Sequence, residues 1–336
     1  MIMNKNRLYF LIPLLIIILS GAVLLSLGVG EMHLSIEMLP GIFANKDSME
    51  YGVLSQIRIP RTLLAISIGG SLSLAGVILQ GIYHNPLVEP YTLGISGGAS
   101  LGVTLVIVTG INSLGMITLP VSGFAGALVT IFLVYFLGFR RGSVSIGRML
   151  LTGVMISFIS SSLILFLMSV TEVENIHGIV FWTMGSLNES NSYMVNGMVA
   201  VSIISLAISY MFTTPLNALR LGNNMARHLG INSQQVITFL FILTSLLTGT
   251  CIAVAGVIGF VGLIIPHISR IIAGTDYRYL LIVSFLCGSI FLLLCDILAR
   301  TIIFPNELPI GVITGITGGI TFLIIVSQPK LKIKIN

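Results

Sequence analysis

Charge is scarce in this sequence. Acidic and basic residues fill 8% of its 336 positions, where an ordinary soluble domain carries about a quarter. Water is therefore excluded as the solvent for most of the chain. Cysteine is scarce too. Cys251, Cys287 and Cys295 are the whole set, all in apolar stretches and without the paired spacing of a zinc site or redox couple. They read as packing residues, and neither a metal nor a cofactor is assigned to this chain. Lysine is confined to the terminal segments and Lys46. The pattern G-x-x-x-x-G-K-[ST] is missing, which excludes ATP binding through a P-loop. H-E-x-x-H and G-x-S-x-G are missing as well, so no catalytic residue is named and the chain is not read as an enzyme. A net charge of +5 would suit nucleic acid, but the basic residues are scattered at loop ends rather than gathered in a stripe.

Apolar residue is what remains: 55% of the chain, at a mean hydropathy of +1.07. A hydrocarbon core about 30 Å thick needs roughly 20 apolar residues per helix, and the runs are continuous rather than alternating, which points to helices and not a barrel. Runs fall near 8–28, 62–83, 91–110, 115–138, 147–170, 193–213, 235–256, 258–274, 279–299 and 310–327. The expectation is an all-α integral membrane protein of about ten transmembrane helices, residues 1–336 forming a single transmembrane domain. Gly256, Gly259, Gly262 and Pro266 mark where the seventh and eighth spans should part. The first run follows Lys5 and Arg7 but lacks an A-x-A exit, so it reads as a retained helix and not a signal peptide.

With the N-terminus inside, one side receives Lys5, Arg7, Arg140, Arg141, Arg148, Arg220, Arg227, Arg270, Arg278, Lys330, Lys332 and Lys334. The other receives Lys46, Arg58, Arg61 and Arg300. Acidic residues split the opposite way, Glu31 and Glu37 among those outside. The bias predicts both termini in the cytoplasm. Ala75-Gly76-Val77-Ile78 recurs as Ala255-Gly256-Val257-Ile258, with Pro86 matching Pro266 and Gly94 matching Gly274 at the same offset. Copies five spans apart would have opposite orientation, which predicts inverted repeats.

Almost every charge lies at a span end, so coupling to a separate ATPase fits better than coupling to an ion, which needs buried ionisable groups. Asp296 is the one carboxylate near a span. The longest polar interruption on the cytoplasmic side, about 214–235, carries Leu221, Met225 and Leu229 at helical spacing, with Gly222 and Gly230 bracketing a short helix. That helix either inserts into a groove on a partner or merely joins two spans. Arg58 and Arg61 share a helix face, with their guanidinium groups expected to point outward. They and Arg300 break the positive-inside bias, as snorkelling anchors or as a docking site.

Taken together, several stretches resemble the FecCD family, permeases of type II ATP-binding-cassette importers for iron chelates, haem and cobalamin. They are Arg58-Ile59-Pro60-Arg61, Ala75-Gly76, Gln80, Asn85-Pro86-Leu87, Pro90, Leu93-Gly94, Gly97-Gly98-Ala99, Trp182, Gly185-Ser186-Leu187, Gly259 to His267, Arg270, Asp276, Arg278, Asp296, Ala299-Arg300 and Glu307 to Gly311. The resemblance implies the type II importer permease fold and a second permease subunit, in a homodimer or heterodimer. It further implies two cytoplasmic ATPases that hold the ATP, an extracytoplasmic substrate-binding protein, and a prokaryotic cell membrane as the location. It makes Gly222, Ala226, Leu229 and Gly230 the coupling element, and it gives Arg58, Arg61 and Arg300 carboxylates of the binding protein to receive. A short outer helix near 175–187 becomes a lid, although Phe181 and Trp182 there also suit an interfacial belt. His267 is read as a partner for carbonyls freed by Pro266. The sequence departs from the family pattern at His84, Val88, Tyr277 and Ile320. The expected cargo is a siderophore or haem, with cobalamin or molybdate as alternatives and an ion-coupled carrier as a rival from another class.

Overall fold

The structure, a computed structural model, describes residues 5–30, 41, 46–111, 114–140, 143–144, 146–189, 191–303 and 306–327. Arg141, Glu31, Glu37, Lys330, Lys332 and Lys334 lie outside the described residues, as do both chain ends.

Apolar chain that cannot turn to water satisfies its backbone internally, and the long runs do so as helices. In order they are α1 (Lys5–Gly28), α2 (Met49–Val53), α3 (Ile59–Tyr83), α4 (Ile95–Thr109), α5 (Thr118–Gly138), α6 (Ile146–Val170), α7 (Val173–Thr183), α8 (Ser192–Met211), α9 (Thr213–Leu219), α10 (Asn223–His228), α11 (Ser233–Ala255), α12 (Val261–Ala273), α13 (Tyr277–Thr301) and α14 (Ile310–Ser327). A π-helical turn, Leu54–Arg58, joins α2 to α3. Two short antiparallel strands pair Phe139 with Val144 and Arg140 with Ser143.

Helices stand at all ten expected places. Among the described residues seven stretches are long and apolar enough to cross a membrane, while 95–109, 261–273 and 310–325 are apolar but shorter. The short ones have identifiable causes. α4 is delayed by a 3₁₀ turn at Pro90–Leu93 and by Gly94, which is left-handed at φ +79°. α12 begins only after a break at 256–260, so Gly256 and Gly259 fall in the break as expected, whereas Gly262 and Pro266 lie inside the helix.

The core is built around α3, buried along nearly its whole length and packed on α8, α11, α12 and α13. In a bilayer, helix association comes from close packing and interhelical hydrogen bonds, and α3 uses both. A side chain at Gly69 or Gly76 would run into the carbonyl of Gly288 or Gly262. Ser73 Oγ donates to the Ser284 carbonyl (2.8 Å), and Ser289 Oγ to that of Ile66 (2.8 Å). α1 lies on α13 at the periphery and leaves Phe10, Ile17 and Leu25 exposed.

Two expectations need correction. The proposed repeat register has no structural counterpart: Ala75 to Ile78 lie within α3, but Ala255 to Ile258 run off the end of α11 into the break. Pro86 lies between helices and Pro266 inside one. Four small apolar residues recur there without a shared local fold. The outer helix is also shorter and earlier than 175–187, ending at Thr183. Its Trp182 packs toward Gly123 of α5 while Phe181 stays exposed, so of the two only Phe181 suits an interfacial belt.

Candidate functional site

α13 carries a polar cluster at each end. At the Arg300 end, Asp296 has no exposed surface and is held by two arginines. Arg61 Nε lies 2.7 Å from its Oδ1 and Arg300 Nη2 lies 3.1 Å from its Oδ2. Arg61 Nη1 also reaches Glu307 (2.7 Å) and donates to Asn188 Oδ1. One guanidinium thereby ties α3 to α13 and to the segments before α8 and α14.

Arg58 and Arg300 turn toward the C-terminus of α1, where the last carbonyls have no partner inside the helix and carry its negative dipole end. Arg58 Nη1 donates to the Leu27 carbonyl, Arg300 Nη1 to that of Val29 (3.2 Å), and Arg300 Nη2 to Ser26 Oγ (3.0 Å). Ser26 in turn bonds Thr62 (2.8 Å). The expectation that these guanidinium groups point outward is therefore corrected: Arg58, Arg61 and Arg300 are 4%, 5% and 9% exposed. With Asp296 buried and the last carbonyls of α1 without helical donors, leaving them unpaired would be costly, and the guanidinium groups compensate them. Glu307, whose side chain is 41% exposed, is the accessible member. Burial works to raise its pKa, but the hydrogen bond and charge of Arg61 outweigh that and hold it below the ordinary value.

At the Asp276 end, the interruption at 214–235 forms two short helices where one was expected. Asn217 of α9 donates to Asp276 Oδ1 (2.8 Å) and accepts from Tyr277 N (3.2 Å), while Asp276 caps α13 through Arg278 N (3.0 Å). Arg220 donates to the carbonyl and hydroxyl of Thr275 (2.7 and 2.6 Å). His84, which ends α3, donates from Nε2 to the Leu219 carbonyl (2.9 Å). α10 follows, packed on α9 and α11 and bracketed by Gly222 at φ +100° and Gly230 at φ +78°. Leu221, Met225 and Leu229 are 60%, 50% and 60% exposed. Ala226 is fully buried in the chain's own core, so it does not face a partner's groove.

Between the two ends, Pro266 deprives the Gly262 carbonyl of its helical donor, and Gln80 Nε2 of α3 supplies one at 3.2 Å. Arg270 donates to the other end of the same amide. Gln80 thus fills the role expected of His267, whose buried Nε2 has no hydrogen-bond partner among the described residues. Asn217 is a polar contributor that sequence patterns did not single out, because its partners Asp276 and Tyr277 lie 59 and 60 residues further along the chain.

The sequence profile of the FecCD transport family matches residues 14–328. The chain is 37% identical over 325 residues to an uncharacterised ABC transporter permease protein of Bacillus subtilis, covering 93% of this chain and 92% of that one. It is 36% identical to the hemin transport system permease protein of Yersinia pestis, covering 96% and 95%. A solved structure described as a metal-chelate type ABC transporter in an inward-facing conformation superposes with a TM-score of 0.85. It is 31% identical, with 96% of this chain and 99% of that chain covered.

Proposed function

The chain belongs to the FecCD transport family, and from that premise we propose that it moves an iron chelate, a siderophore or haem, into the cytoplasm with energy from a separate ATPase. It is a multi-pass ABC importer permease and not an enzyme. The observation that carries the energy source is α10, an exposed apolar outcrop joined through α9, by Asn217 and Arg220, to the turn that starts α13. An external motor needs such a handle: apolar surface to grip, bonded to a membrane helix. Iron as cargo is supported by relatives named for hemin and for Fe(3+)-citrate. Relatives named for vitamin B12 and molybdate, at 35% and 32% identity, make those the alternatives. Asp296 offers an ion-coupled carrier little, since Arg61 and Arg300 already neutralise it.

The proposed assembly is two permease subunits of ten spans each, two ATPases that bind the ATP, and an extracytoplasmic binding protein, with both termini of each permease in the cytoplasm of a prokaryotic cell. The binding protein is read to approach the end with Arg58, Arg61 and Arg300, where Arg61 and Arg300 hold the Asp296 carboxylate, Arg61 also holds that of Glu307, and Arg58 turns to the Leu27 carbonyl. The test is uptake of labelled ferric siderophore, haem, cobalamin and molybdate by cells lacking the gene, with and without the restored chain. Loss and recovery of a ferric chelate alone supports the reading. Recovery of cobalamin or molybdate instead, or uptake unaffected by an inactive ATPase, overturns it.

A further inference from the structure

The C-terminal turns of α3 collect contacts from three other elements. Gly76 and Gln80 are one turn apart and share a face, and both meet Gly262 of α12. The Gly262 carbonyl occupies the space that a side chain at Gly76 would need, and it accepts from Gln80 Nε2 at 3.2 Å. The Tyr277 hydroxyl of α13 takes the corresponding space at Gly81. His84, which closes α3 in the left-handed region at φ +48°, donates to the Leu219 carbonyl of α9 at 2.9 Å. That carbonyl also accepts from the Gly222 N–H at 2.9 Å, in the turn from which α10 starts. Asn217, on the same short helix as Leu219, accepts from the Tyr277 N–H at 3.2 Å. α9 therefore holds the end of α3 by two routes, directly through His84 and indirectly through Tyr277.

Gln80 carries the contact onward. Its side chain is buried, so neither end of the amide has water as a substitute partner. Nε2 serves the Gly262 carbonyl, which Pro266 leaves without a helical donor, and lies 3.4 Å from that of Leu263. Oε1 accepts from Arg270, one turn beyond Pro266. One amide on α3 thus grips α12 on both sides of its proline, and a bond inside a helix has been exchanged for one between helices. Separating the two helices at this point would leave a buried carbonyl unserved. A helix that lacks one internal bond also yields there more readily than a complete one.

We propose that Gln80 is a positioning residue for transport, passing motion of α9 and α10 through the end of α3 to α12 at Pro266. This rests on the reading of α10 as the grip of a separate ATPase. The route is contiguous: Gly222 to Leu219 and His84, Asn217 to Tyr277 and Gly81, then Gln80 to Gly262 and Arg270.

Hydrogen–deuterium exchange of the assembled permease and ATPase in lipid nanodiscs, with and without ATP and orthovanadate, tests this. In the wild type, trapping the nucleotide should change exchange in peptides from α9 and α10 and also in those from α12. Gln80→Leu should keep the change in α9 and α10, with the ATPase still bound, and lose it in α12. It should also lower the melting temperature less in the Pro266→Ala background than alone, because the alanine N–H then serves Gly262. That double variant keeps the exchange test readable where the single one does not fold. An α12 that follows nucleotide equally in wild type and variant overturns the proposal, as does a wild-type α12 that ignores nucleotide while α9 and α10 respond. Equal destabilisation in both backgrounds, or failure of both variants to fold, overturns it as well. A wild-type complex without any response in α9 and α10 would remove α10 from the coupling role and this proposal with it, whereas the preceding outcomes remove Gln80 alone.

Discussion

Asp296 shows how far a single buried charge organises its surroundings. Removing one partner of a buried pair leaves an uncompensated charge and typically costs about 3–5 kcal/mol, while an exposed pair contributes about 0.2–1 kcal/mol. Asp296→Asn, which strands Arg61 and Arg300, should therefore lower the melting temperature in detergent far more than Glu307→Gln, whose parent side chain is 41% exposed. Equal shifts would show that the cluster is not held by Asp296. The smaller contribution of Glu307 has a defined pH range: its depressed pKa makes it present under ordinary conditions and lost as pH falls through and below the usual carboxylate range. Arg61→Glu would place a third carboxylate beside Asp296 and Glu307, so it should reduce the amount of folded protein and not merely the docking of a partner. Arg58, Arg61 and Arg300 were legible in the sequence because they break the predicted charge bias across the membrane. Their partner was not, since Arg61 and Asp296 are 235 residues apart and pairing over that distance follows from how α3 and α13 pack.

At the level of elements, apolar run length and Gly or Pro punctuation located the helices to within a few residues, including the break after Ala255. The same cues misjudged connections. Nothing in the spacing from Thr213 to His228 said that one short helix would become two, because the division depends on Asn217 and Arg220 finding the turn at Thr275 to Tyr277. Helical spacing grouped Leu221, Met225 and Leu229, which are all exposed, whereas Ala226, which the family resemblance added to the coupling element, is buried. The two kinds of position should respond differently to substitution. Met225→Glu changes an exposed side chain, so the protein should reach the membrane at normal levels while ATPase co-purification and uptake fall several-fold. Ala226→Arg forces a long charged side chain into the chain's own core, where overpacking and an unpaired charge both destabilise, so its level in the membrane should fall first. Normal ATPase binding and uptake in Met225→Glu would remove α10 from the coupling role.

For the whole molecule, α13 joins a cluster at Asp276 to one at Asp296 and Arg300, a rise of about 30 Å at 1.5 Å per residue, close to the thickness of a hydrocarbon core. The two clusters should therefore face opposite aqueous phases, and the chain offers an independent check through α8. Between Glu174 on α7 and Asn224 on α10 the only helix among the described residues that is long and apolar enough to cross is Ser192–Met211. One crossing puts these exposed positions on opposite sides, and Arg220 and Arg227 assign the second to the cytoplasm by the positive-inside bias. Asn188 is a poorer probe than Glu174 because it bonds Arg61 and Glu307, so a cysteine there would disturb the cluster. With Cys251, Cys287 and Cys295 replaced by alanine or serine, Glu174→Cys should react with a membrane-impermeant maleimide in intact cells. Asn224→Cys should react only after permeabilisation. Labelling of both from the same side would mean that α8 does not cross the membrane, and with it would fall the assignment of α10 to the ATPase and of Arg58, Arg61 and Arg300 to the binding protein.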